Sequence, residues 1–145
     1  KIISNLPYNI STKVILYLFK YISNIDEMVF MIQKEVSIKF DYNIIGMNKY
    51  KFFTKLTSNY NKCFDVSRKV FIPKPKVDSS VVKFILKNKK IDFDKAESFS
   101  KNIFLNRRKK INNKLNIENI SKENILNKRV DEITIDELFY IYNSF

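Results

Sequence analysis

Apolar residues in this chain switch between two spacings, and the switches mark out its elements. Residues 1–4 read as the end of a buried strand. Pro7 cannot join a central ladder and restricts Leu6 before it, so residues 5–8 form a turn. Ser11 is a good N-cap, and Val14, Ile15, Leu18, Phe19 and Ile22 then fall on one helical stripe. Residues 28–32, Met-Val-Phe-Met-Ile, form a short apolar run of strand length. Gln33 to Phe40 returns to helical spacing. Strand, helix, strand, helix is the rhythm of an α/β fold.

The second half is read the same way. Residues 50–60 are expected to be helical, with Phe52, Phe53 and Leu56 on one side, and residues 63–66 to form a strand. Pro73 and Pro75 hold the next segment extended before a strand over 79–87, and this late pair suits an antiparallel hairpin at the far edge of the sheet. Composition changes near residue 92. Asp94 and Glu97 have capping-box spacing, which predicts a helix from there to about Asn106, and residues 107–115 continue or restart it. Thr134 and Glu137 form a second box ahead of Leu138, Ile141 and Tyr142. The expectation is an α/β part over 1–91 and a small all-helical domain over 92–145.

Composition narrows the chemistry. Hydrophobic residues are 45% of the 145, enough for a core. No histidine is present, which excludes His-ligated zinc and His-based triads within these residues. The single cysteine, Cys63, cannot form an internal disulfide, and no apolar run is long enough to span a membrane. Gly46 is the lone glycine, few for a nucleotide-binding domain, which uses glycines where backbone approaches phosphate or ribose.

Charge is unevenly placed. Residues 1–45 carry a net +1 and residues 115–145 a net −3, while residues 46–114 hold nineteen basic and five acidic side chains, a net +14. Such a concentration attracts a polyanion. Lys74, Lys76 and the run Arg107-Arg108-Lys109-Lys110 are candidate phosphate contacts. On a helix that run points in several directions, and a solvated charge run has the same composition.

Asn5-Leu6-Pro7-Tyr8 is the sharpest local feature. The Asn5 amide and the Leu6 carbonyl can both accept hydrogen bonds from an exocyclic amine, and Tyr8 can stack on a purine. An adenine amino nitrogen is a poor nucleophile because its lone pair is delocalised into the ring. Two acceptors on its hydrogens pull it toward a tetrahedral form, after which methyl transfer needs close positioning. An ordinary Asn-Pro turn has the same letters. Phe71, followed by Pro73 and Pro75, is a candidate second wall for a flipped base, and equally a core residue beside a braced edge. Gln33, Lys34 and Glu35 end the second strand, where Glu35 can simply pair with Lys39.

Taken together these segments resemble the ribosomal RNA adenine dimethyltransferases. NLPYNIST at 5–12 matches their catalytic motif, and MVFMIQKEVSIKF at 28–40 the following strand and helix. VFIPKPKVDSSVV at 70–82 resembles their late loop, FLNRRKKINNKL at 104–115 their basic helix, and ITIDELFYIYNSF at 133–145 their final helix. The resemblance implies transfer of methyl groups from S-adenosylmethionine to N6 of two adjacent adenosines near the 3′ end of small-subunit ribosomal RNA, and a role in small-subunit assembly. It implies that Asn5 and Leu6 hold the amine, that Tyr8 and Phe71 flank the base, that Asn5, Leu6 and Pro7 also adjoin the cofactor, and that later Lys and Arg residues contact RNA.

In that family a glycine-rich cofactor loop and two acidic cofactor contacts precede the Asn-Leu-Pro-Tyr motif. The chain is therefore expected to be a fragment without the N-terminal cofactor-binding motifs: the C-terminal part of a Rossmann-like methyltransferase domain plus a helical RNA-binding domain, inactive by itself. It is expected to be a monomer in the cytoplasm or in an organelle. Three rivals share parts of the pattern: a resistance-type methyltransferase of large-subunit ribosomal RNA, a non-catalytic RNA-binding assembly factor, and an amino methyltransferase of DNA.

Overall fold

The computed structural model describes residues 1–87, 90–115 and 123–145. Its centre is a four-stranded sheet of order β1-β2-β4-β3. Strand β1 (Ile2–Asn5) leads through helix α1 (Ser11–Leu18) into β2 (Glu27–Gln33), and the two strands pair in parallel with Asn5 opposite Met31. Helices α2 (Lys34–Phe40) and α3 (Lys49–Thr57) precede β3 (Ser58–Val66), which forms an antiparallel pair with β4 (Ser79–Leu86). Strand β4 returns to the middle of the sheet and pairs antiparallel with β2. The expected late hairpin is thus present, with β3 as the edge. Helices α4 (Phe93–Phe104), α5 (Glu123–Leu126) and α6 (Ile135–Ser144) follow.

Alternation makes the sheet one-sided. Along β2 every second residue is buried, and Met28, Phe30 and Ile32 are almost completely enclosed. Phe84 of β4 sits among the rings of Phe19, Phe30, Phe40 and Tyr60, with centroids 5.3–6.4 Å apart and mostly edge-to-face. Burial pushes the Tyr60 phenol well above its ordinary pKa, and its hydroxyl donates to the Ser37 carbonyl at 2.9 Å. The phenol therefore stays protonated and ties β3 to α2.

The core does not stop at residue 91. Phe52 of α3 is fully buried and touches Phe99 of α4 and both Phe139 and Tyr142 of α6, with centroids 5.2–5.5 Å apart. One hydrophobic cluster runs from Leu6 to Tyr142. This corrects the expected fold class. The helices are not a separate domain attached to a remnant; α4 and α6 pack on α3 and share the core beneath the sheet.

Several local expectations also change. Helix α1 begins at Ser11, but Ile10 holds the N-cap position and the Ser11 hydroxyl donates to the Tyr8 carbonyl. Helix α3 ends at Thr57, and residues 58–60, expected to be helical, belong to β3. The N-cap of α4 is Asp92, whose carboxylate accepts from the Lys95 N–H, and not Asp94. Thr134 and Glu137 do form the reciprocal capping box at α6. Residues 107–110 are not helical: α4 stops at Phe104, and Asn106 follows with φ 52, a left-handed conformation that breaks the helix.

Two carboxylates tie the strands to their surroundings. The Lys34 ammonium and the Ser80 hydroxyl hold the Asp65 carboxyl at about 2. The ammonium groups of Lys1 and Lys83 hold Glu27 at about 2. Both values lie below those of an unfolded chain, about 3.9 and 4.3. Their stabilisation is therefore present above that range and is lost as pH falls toward about 2. Melting temperature should drop across this window, and Asp65→Asn should flatten the drop. An Asp65→Asn protein with the same acid profile as the parent would refute this account.

Candidate functional site

The two motifs singled out in the sequence meet in space. Asn5, Leu6, Pro7 and Tyr8 line one side of a cleft of about 360 Å³, and Phe71, Pro73 and Pro75 line the other. Asn5 ends β1 at the carboxyl edge of the parallel pair, the edge where open α/β sheets receive ligands. The Leu6 N–H donates to the Met31 carbonyl at 3.2 Å, so the motif leaves the sheet in a fixed register. The turn is closed by the Ile10 N–H on the Pro7 carbonyl.

The opposite wall is braced at both ends. The Asp78 carboxylate accepts the Arg68 N–H at 3.0 Å, and the Arg68 guanidinium donates to the Lys76 carbonyl at 2.7 Å. The Asp78 carbonyl accepts the Lys34 N–H at 3.0 Å, which fastens the loop to the end of β2. Ile72–Pro73 is a cis peptide. These bonds bring Phe71 to the cleft, and Lys74 and Lys76 stay exposed beside it.

Ser79 supports the candidate site through Tyr8, and the sequence reading missed it. Fully buried at the start of β4, it shares a 2.7 Å hydrogen bond with the Tyr8 hydroxyl. The bond crosses 71 positions of sequence and fixes the phenol end of the ring. Only the serines following Asp78 hinted at it. Tyr8→Phe should keep the aromatic wall and lose this tether. Ser79→Ala should produce the same defect, about 1 kcal/mol in binding of an RNA bearing a flipped adenine. The double variant should be no worse than either single one. Additive losses in a titration of the four proteins would show that the two hydroxyls act separately.

The basic segment is arranged differently from expectation. Arg107 donates to the Met47 carbonyl and pairs with Asp131 at 2.6 Å, so it latches the loop before α3 to the turn before α6. Arg108, Lys109 and Lys110 are exposed on the turn after α4. Lys51, nearly fully buried, donates to the carbonyls of Ile44, Ile45 and Gly46 at 2.5, 3.2 and 2.7 Å. Burial lowers its pKa. Glu35 pairs with Lys39 at 3.7 Å.

The family model of the ribosomal RNA adenine dimethylases matches residues 1–145. The chain belongs to this family. It is 45% identical over 123 residues to the ribosomal RNA small subunit methyltransferase A of Malacoplasma penetrans, covering 79% of this chain and 43% of that protein. The enzyme of the same name from a Hydrogenobaculum strain is 36% identical over 146 residues, covering 99% of this chain and 57% of its own length. The chain thus spans about half the length of these relatives. In fold it is similar to a dimethyladenosine transferase from Plasmodium falciparum, with a TM-score of 0.76, 21% identity, and coverage of 99% of this chain and 66% of that one. It is similar also to the 23S rRNA methyltransferase ErmE, with a TM-score of 0.75 and 15% identity over 98% of this chain and 63% of that one.

These matches correct two expectations. The family model is matched from residue 1 to residue 145, which overturns the expectation that part of these residues forms a remnant joined to a separate helical domain. The α/β fold with its helical extension is likewise matched as one unit, in agreement with the shared core around Phe52.

Proposed function

We propose that this protein acts in S-adenosylmethionine-dependent N6,N6-dimethylation of two adjacent adenosines near the 3′ end of small-subunit ribosomal RNA, and so in assembly of that subunit. The observation that carries the proposal is the convergence of Asn5, Leu6, Pro7 and Tyr8 with Phe71 on one cleft. A volume of about 360 Å³ lies in the range of small-ligand sites. It has aromatic residues on both sides and acceptor groups at the end of β1. A flipped adenine fits that chemistry.

The residues present also fit the methyl-bearing end of the cofactor. Asn5, Leu6 and Pro7 sit at the carboxyl edge of the parallel strands and include no thiol that would compete for the methyl group. Bound there, S-adenosylmethionine supplies an electrophilic methyl on a sulfonium. The chain's own residues do the rest. The Asn5 amide oxygen and the Leu6 carbonyl accept hydrogen bonds from the two amine N–H groups, which localises the nitrogen lone pair. Tyr8 and Phe71 hold the ring, and Ser79 holds Tyr8. Lys74, Lys76, Arg108, Lys109 and Lys110 meet phosphates, and Arg107, already paired with Asp131, shapes the surface from which they project.

Relatives named for the small subunit support that substrate, and the likeness to ErmE leaves the large subunit as the rival. Purified undermethylated small and large subunits, offered with labelled cofactor to the intact protein, separate the two. Label in the small subunit is expected. Label confined to the large subunit would refute the assignment, and RNA binding without transfer would leave a structural assembly factor.

A further inference from the structure

A second cleft, larger than the first, lies between α1, α3 and α4. Its volume is about 550 Å³. Leu16 and Tyr17 contribute from the C-terminal end of α1, whereas the Asn-Leu-Pro-Tyr turn leads into its N-terminal end. The eight residues of α1 span on the order of 12 Å, and the two clefts share no lining residue. The larger cleft is therefore a separate place on the molecule.

Its walls are aromatic. Phe53 comes from α3, and Phe93 and Phe104 from the two ends of α4. Tyr17 is 59% exposed at the mouth. The rim is cationic. Lys20 is bound to Glu97 at 2.5 Å, a bridge that joins the turn after α1 to α4 and neutralises the acid of the rim. Lys49 and Lys101 remain, both exposed, and among the described residues neither forms an ion pair. Leu105, 58% exposed, closes the rim, and the exposed Arg108, Lys109 and Lys110 begin three residues later.

We propose that this cleft is an RNA-binding site that takes one unstacked nucleotide of the strand held by the basic turn. The proposal rests on the reading of the protein as RNA-binding. Aromatic faces bind bases without regard to sequence, and two lysines at the mouth suit the flanking phosphates. The volume fits a nucleoside. Continuity with the basic turn favours RNA over an acidic peptide, because a strand crossing Arg108–Lys110 reaches the mouth at Leu105. Binding here anchors the RNA at a distance from the reacting adenosine, so the two contacts together fix orientation.

The test uses the intact protein and a single-stranded RNA of about ten nucleotides carrying 4-thiouridine or 2-aminopurine. Irradiation should cross-link 4-thiouridine to the peptide containing Tyr17 or the one containing Phe104. Tyr17→Ala should abolish the first adduct and reduce 2-aminopurine quenching severalfold. Lys49→Gln with Lys101→Gln, both exposed, should weaken binding about tenfold and lower the salt slope by about 1–2. Melting curves of each variant confirm folding, and the exposed lysine pair serves if Tyr17→Ala unfolds. Wild-type RNA affinity in the lysine variant, or adducts confined to Phe71, overturns the cleft proposal. So does displacement by an acidic peptide with no effect of RNA. Methylation of small subunits by the wild-type protein is scored separately: transfer with no cleft adduct refutes only this site, and cleft adducts without transfer refute only the methyltransferase reading.

Discussion

Substituting Phe52 by alanine is expected to lower unfolding free energy by about 3–5 kcal/mol, the range for deleting a fully buried ring. For a chain of this size that corresponds to a fall of roughly 10–20 °C in melting temperature. The reason is position. Phe52 is on α3, yet its ring lies among Phe53, Phe99, Phe139 and Tyr142. Removing it leaves a cavity between the helices under the sheet and the helices of the C-terminal third. Because the core is continuous, β2, β4 and α6 should lose hydrogen-exchange protection together. If the amides of β2 and β4 kept parental protection while α4 and α6 opened, the single shared core would be disproved.

Asn5→Ala should remove methyl transfer by a factor of about 100 to 1,000 while changing RNA affinity less than twofold. The size is that of losing one preorganised polar group whose partner develops charge in the transition state. Asn5 is exposed at the end of β1, so the fold should survive the change. In the proposed reading the phosphates are met elsewhere, by Lys74, Lys76 and the turn after α4, so binding should persist. Single-turnover transfer and filter binding on the same preparation measure both. Equal losses in the two assays would sink the role given to Asn5, since they would place it in general RNA contact.

The two segments that line the candidate cleft were readable because each is local in sequence. Asn5 to Tyr8 and Phe71 to Pro75 each carry their own turn geometry, and proline fixes both. What joins them was not readable. The bond between Tyr8 and Ser79 links positions far apart, and a serine before a strand has no signature of its own. The bracing of the Phe71 loop by Asp78 and Arg68 is equally nonlocal. In the fold, α6 was legible because Thr134 and Glu137 satisfy each other's backbone partners within one turn. Strand β3 was legible only at its end, residues 63–66, because the helical spacing of Phe52, Phe53 and Leu56 runs into residues 58–60. Its exposed positions before residue 63, Asn59, Asn61 and Lys62, are polar, which hid its length. The division at residue 92 followed a real change in composition. Aromatic Phe52 on α3 nevertheless packs against Phe99 and Tyr142 beyond it.

The buried ammonium of Lys51 has a consequence for how this protein should respond to salt. It neutralises three carbonyl dipoles inside the fold, Lys114 donates to the Ile103 carbonyl, Lys87 to that of Lys55, and Arg107 to Met47 and Asp131. These cations lie within the stretch of net +14, yet each already donates to protein oxygens. Few of them can displace condensed sodium or potassium from a nucleic acid. The slope of log affinity against log salt should therefore report a phosphate count well below the number of basic residues in that stretch.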